Sequence, residues 1–90
     1  MALQIINAPG SDARETADRI REAIAEAIPG AKIDVTCSSA GHFEIRVESE
    51  AFEGKNRVAQ HQLVYGAITR LMTGDAPPVH AIDRLDCSLP

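Results

Sequence analysis

The segment KIDVTCSSAGHFEIRVE, residues 32–48, gives the clearest indication of the architecture, because apolar and polar residues alternate on both sides of a short turn. Every second residue is apolar on each side of the turn: Ile33, Val35, Cys37, Phe43, Ile45 and Val47. A two-residue period is typical of strands with one buried face. The short, flexible SSAG segment therefore predicts a β-hairpin whose polar face points outward, with His42 at the edge of the loop.

Amphipathic helices are predicted on both sides of this hairpin. Asp12 and Glu15 are suited to cap the start of the first helix, which ends at Pro29-Gly30. Its apolar stripe has helical spacing and consists of Ala13, Ala17, Ile20, Ile24 and Ala27. The stripe of the second helix follows Gly54 and consists of Val58, His61, Val64, Tyr65, Ile68, Leu71 and Met72.

A third strand is predicted in VHAIDRL, residues 79–85. A whole helix separates it from the second strand, which suits a crossover connection between parallel strands. The predicted fold is α+β with two layers, in the order helix-strand-strand-helix-strand, and both helices lie on one face of a three-stranded mixed sheet. Because parallel strands start at the same end of a sheet, Cys37, His42 and His80 should lie close together.

Length and composition narrow the classes of protein to consider. The 90 residues predict one domain over 1–90, with residues 1–10 flexible. A net charge of −4 and only three aromatic residues argue against a general nucleic-acid-binding protein. Such proteins contact the phosphates with Lys and Arg and stack bases on aromatic side chains. Two cysteines and a start without signal or transit features predict a reduced, cytoplasmic chain with no membrane partner.

The histidines and cysteines are the candidate functional residues. His61 lies on an apolar stripe, so a packed, hydrogen-bonded core histidine is favoured over a catalytic one. His80, His42 and Cys37 could instead form a metal site, since imidazole and thiolate are donors for soft metals. Cys87 is interpreted as an incidental thiol. No nucleophile elbow, carboxylate pair or phosphate loop supports an enzyme.

Two further segments resemble the BolA/IbaG family. They are FEGKNRVAQHQLVYGAI at 52–68 and VHAI at 79–82, and the resemblance extends over about residues 13–85. The residues that carry the family signature are Phe52, Gly54, Val58, His61 and Tyr65. The resemblance implies a small fold similar to class II KH domains, in agreement with the predicted order of elements.

The resemblance also implies a non-enzymatic partner of monothiol glutaredoxins in iron-sulfur and iron homeostasis. Such a pair shares a 2Fe–2S cluster, with glutathione supplied by the partner and no cluster expected in the isolated chain. His80 matches the late-strand ligand of the family. The loop ligand would be His42, in the motif GHF, with Cys37 as its competitor, because Ser39 stands where many members have cysteine. A weak homodimer of this chain is kept as a further interpretation.

A DNA-binding transcriptional regulator is the alternative function, since some family members are described as such. The sequence weakens it at the start of the second helix, where Gln60-His61-Gln62 replaces the RHR of many members. The GxxG loop of nucleic-acid-binding KH domains is also absent from the sequence. Nucleic acid is therefore kept as the less favoured partner.

Overall fold

The structure, a computed structural model, describes residues 9–90 and the side chains of residues 13–90. Its elements follow the predicted order: α1 Pro9–Ala27, β1 Lys32–Ser39, β2 His42–Glu48, α2 Arg57–Met72 and β3 Ala81–Ser88. A short 3-10 helix, Glu50–Phe52, follows β2. Of residues 1–10, which were predicted to be flexible, residues 1–8 lie outside the described residues, whereas Pro9 and Gly10 form the start of α1.

The three strands form one mixed sheet in the order β1-β2-β3. β1 and β2 pair antiparallel, as expected of a hairpin, and β2 and β3 pair parallel. The connection between the parallel strands contains α2, so the predicted crossover is confirmed. β3 spans Ala81–Ser88 instead of 79–85, because its pairing with β2 continues as far as Glu48.

The core lies between the helices and one face of the sheet. Along β2 the side chains of Phe43, Ile45 and Val47 are at most 2% exposed, whereas Glu44 and Arg46 between them are exposed. Buried side chains of the helices complete the core: Ala17, Ile20, Ala23, Ile24, Val64, Ile68 and Leu71. Among the described residues, neither helix combines the length and apolar character needed to cross a membrane.

Helix α1 differs from its prediction at both ends. The helix begins at Pro9, three residues before the predicted cap residue Asp12. Proline suits the first helical turn because backbone N–H groups there have no acceptor within the helix, so its lack of an N–H costs no hydrogen bond. At the other end Ala27, which was predicted to lie on the apolar stripe, is exposed. Ile28, just beyond the helix, is buried and fills the core at that point.

Helix α2 corrects the predicted environment of two signature residues. Val58 is 64% exposed, and His61 is half-buried instead of being part of the core. The reason is geometric, because three residues turn an α-helix about 60° short of a full circle. From the buried Val64 back to His61 and then to Val58, the side chains therefore rotate progressively away from the core.

Candidate functional site

A tight turn at one end of the sheet positions the first candidate residue. Ala40 and Gly41 connect β1 to β2, and Gly41 has a φ of +77°, in the left-handed region that favours glycine. His42 follows as the first residue of β2. Because the next residue, Phe43, is buried in the core, the His42 side chain lies on the outer face of the sheet.

The second candidate, His80, is bonded directly to this turn. Its backbone N–H donates to the Gly41 carbonyl at 2.8 Å, and the Ala81 N–H donates to the same oxygen at 3.2 Å. Ala81 then pairs with His42 in the parallel register. The two imidazoles, 38 positions apart in sequence, lie edge to face with ring centroids 6.5 Å apart and planes at 80°.

His42 is held by two polar residues of the neighbouring strands. Its Nδ1 lies 3.0 Å from Oδ1 of Asp83 in β3, and Ser38 Oγ in β1 lies 2.9 Å from Oδ2 of the same carboxyl. The hydrogen bond with His42, and next that with Ser38, hold the pKa of the Asp83 carboxyl below its usual value. Asp83 is therefore an ionised acceptor at neutral pH.

Cys37, the competing loop residue, lies at the same end of the sheet but packs against the core. Its thiol is half-buried, and Sγ donates to the Ser39 carbonyl at 3.1 Å. It alternates with the outward residues of β1, so it faces the helices. The structure thus brings together His42 and His80 and places Cys37 on the opposite face.

The outer face beyond the histidines carries rows of mixed charge. Asp34, Arg46 and Asp86 are paired across the three strands, and Arg84 Nε donates to Asp86 at 2.9 Å. Glu44 lies opposite Arg84 in the next row. Acidic and basic groups alternate here, so this face is not a basic surface.

The other predicted residues take structural positions. Phe52 is buried, Tyr65 is half-buried, and Gly54 has a φ of +78° in the turn before α2. His61 lines a shallow cleft between α2 and β3, next to Cys87. Within the described part of the chain, no hydrogen-bond partner of the His61 ring is found, which contradicts the expected hydrogen-bonded core histidine.

Sequence reasoning missed Ser38 and Asp83. Both lie at register shifts, one between Cys37 and Ser39 in β1 and the other opposite the Phe43/Glu44 step in β3. Alternation predicts which face a residue occupies but gives no sign of an inserted residue.

Among the described residues, no group of three or more His, Cys, Asp and Glu side chains is arranged to hold a metal ion.

Most of the chain matches a known protein family. The family described as BolA-like protein matches residues 19–85. A search of the curated proteins found no match.

Several solved structures have the same fold. BolA1 from Arabidopsis thaliana is 24% identical with a TM-score of 0.71, and the match covers 82% of this chain and 90% of that one. A BolA homologue from Coxiella burnetii is 28% identical with a TM-score of 0.64, over 79% and 86% of the two chains. Yeast Fra2 is 29% identical with a TM-score of 0.61, over 79% and 75%.

Proposed function

The chain belongs to the BolA-like family, and on that basis we propose that it binds a monothiol glutaredoxin and shares a 2Fe–2S cluster with it. It acts without catalysing a reaction, in cytoplasmic iron-sulfur and iron homeostasis. This is the function that the family resemblance of the sequence implies. Its support from the structure comes from the residues at the start of β2 and β3.

The approach of His42 and His80 is the observation that carries the proposal. Their rings lie 6.5 Å apart at one edge of the sheet, although a hairpin strand and a helix separate them in sequence. His80 is exposed and His42 is 41% exposed, so a second protein can reach both imidazoles. Two accessible imidazoles at one edge are suited to bind iron from outside the fold.

The chemistry of these donors fits a shared cluster. A 2Fe–2S cluster takes four ligands, usually thiolates, and histidines replace two of them in some centres. His42 and His80 would supply two nitrogen ligands. A glutaredoxin cysteine and glutathione would supply the two thiolates. Neutral imidazole in place of thiolate removes negative charge from the site, which generally raises the reduction potential.

The chain's own residues position these donors. The backbone bonds from His80 and Ala81 to the Gly41 carbonyl fix the start of β3 against the turn that carries His42. Both donors therefore depend on the same two-residue turn. In this proposal the fold keeps two nitrogen donors together, and the partner closes the site.

Cluster assembly in the mixed proteins tests the proposal. The chain is mixed with a monothiol glutaredoxin, iron, sulfide and glutathione, and visible absorption, circular dichroism and size-exclusion elution are recorded. A heterodimer with a spectrum different from that of the glutaredoxin alone is expected. A spectrum identical to that of the glutaredoxin alone, with the two proteins eluting separately, would refute the proposed function.

A further inference from the structure

We propose that Asp83, itself held by Ser38, is a positioning residue that fixes the His42 ring with Nδ1–H toward the carboxylate and leaves Nε2 as the iron-binding nitrogen. The inference rests on the proposed function and extends it to two residues that the sequence did not single out. It also identifies His42, and not Cys37, as the loop ligand.

The first argument is the position of the two register shifts. Regular pairing skips Ser38 in β1 and Asp83 in β3, the strands on either side of the one that begins with His42. An inserted residue bends its strand and redirects a side chain. Here both inserted side chains meet, because Ser38 Oγ lies 2.9 Å from the Asp83 carboxylate that contacts His42.

The second argument is the donor and acceptor inventory. An ionised carboxylate can only accept hydrogen bonds, so the contact of 3.0 Å requires the hydrogen to be on His42 Nδ1. In a neutral imidazole with Nδ1 protonated, Nε2 carries the free lone pair. A metal-binding histidine commonly donates its other N–H to a carboxylate in this way, which orients the ring and strengthens the donor.

The third argument concerns the single hydroxyl hydrogen of Ser38. Its oxygen lies 2.9 Å from Asp83 Oδ2 and 3.2 Å from the His42 carbonyl, and one hydrogen cannot serve both acceptors fully. The shorter contact leads to a charged acceptor, which gives the stronger bond. Ser38 therefore binds the carboxylate oxygen that faces away from His42 and limits rotation of the carboxyl group.

Imidazole nitrogen NMR of the isolated chain tests the positioning without any cluster. At a pH at which imidazoles are neutral, wild-type His42 should show a protonated Nδ1. Asp83→Ala removes the acceptor and should shift His42 toward the Nε2–H form that free histidine favours. Asp83→Asn keeps an amide oxygen that can accept from Nδ1–H, so it should give a smaller shift, as should Ser38→Ala. The matched control is Asp86→Asn. It removes one negative charge from the same strand, but Asp86 binds Arg84 and not His42.

Cluster stability in the glutaredoxin complex tests the ligand role of Nε2. Loss of the carboxylate should speed cluster removal by a chelator about 10- to 100-fold and raise the reduction potential, while Asp86→Asn changes neither. An unchanged His42 tautomer, or an unchanged cluster, in Asp83→Ala would overturn the inference. A wild-type complex without cluster would overturn the proposed function and the iron-binding role, yet the tautomer would still decide whether Asp83 positions His42.

Discussion

The His80 imidazole occupies the space in which a side chain at Gly41 would begin. A Cβ atom at Gly41 would lie less than 3.0 Å from Nδ1, Cγ and Cε1 of His80. The same glycine has a φ of +77° and accepts the backbone N–H of His80 at 2.8 Å. Glycine is thus required at this position for two separate reasons, the backbone conformation of the turn and the packing of the ring.

Replacement of Gly41 by alanine separates these two reasons when it is compared with Gly54→Ala. Gly54 has nearly the same φ, +78°, but a Cβ atom there would meet no other atom within 4 Å. Gly54→Ala should lower the free energy of unfolding by about 1 to 2 kcal/mol through backbone strain alone. Gly41→Ala should lower it further and move the His80 ring, as measured by denaturant unfolding and imidazole NMR. Equal losses in both variants, with unchanged His80 resonances, would contradict this explanation.

The fold was predictable from the sequence because its signals are local. The alternation of residues 32–48 determined the face of each strand, and the helix between β2 and β3 indicated the parallel pairing. The environment of His61 was not predictable in the same way, since three-residue spacing alone does not show how far around α2 the core extends. Contact with the sheet decides that limit.

The candidate site was predictable only in part. The common start of parallel strands brings His80 to the hairpin turn, as predicted. Cys37 was expected beside the two histidines, but it packs against the core on the opposite face of the sheet. The contact between Asp83 and His42 depends on an inserted residue in β3, which leaves no periodic trace in a strand of eight residues. Side chains that orient a ligand are therefore the part of the site that only the three-dimensional structure reveals.

His61→Ala should lower the free energy of unfolding by less than about 1 kcal/mol, because the ring is half-buried and has no hydrogen-bond partner among the described residues. Ile68→Ala in the same helix is the control. Its side chain is fully buried, so it should cost about 2 to 5 kcal/mol. Chemical denaturation measures both. A loss from His61→Ala as large as that from Ile68→Ala would restore the core histidine predicted from sequence.

The Cys87 thiol should react with iodoacetamide only at higher pH than a cysteine in a short peptide. Burial, and next the negative charge of Asp86, raise the pKa of this thiol, so less of the reactive thiolate is present at a given pH. The pH midpoint of alkylation, measured in a Cys37→Ser background, should therefore lie above that of the peptide. Asp86→Asn should lower it. A midpoint at or below the peptide value would contradict the effect of burial.

Exchange of the two loop candidates should give opposite results. Cys37→Ser keeps a donor for the Ser39 carbonyl and removes a thiol that packs against the core, so the visible spectrum of the glutaredoxin complex should not change. His42→Ala removes the imidazole beside His80 and should alter or abolish the spectrum. The reverse pattern would make Cys37 the loop ligand.

His80→Ala should leave the fold intact and change the cluster of the complex. The side chain is exposed, and alanine retains the backbone N–H that bonds to Gly41, so the free energy of unfolding should change by no more than about 0.5 kcal/mol. The shared cluster loses one nitrogen ligand, however, and its circular dichroism should change or disappear. His61→Ala is the matched control, because it removes an imidazole distant from the turn and should leave that signal as in the wild type. A His80→Ala complex with an identical spectrum and equal resistance to chelator would show that His80 does not bind the iron.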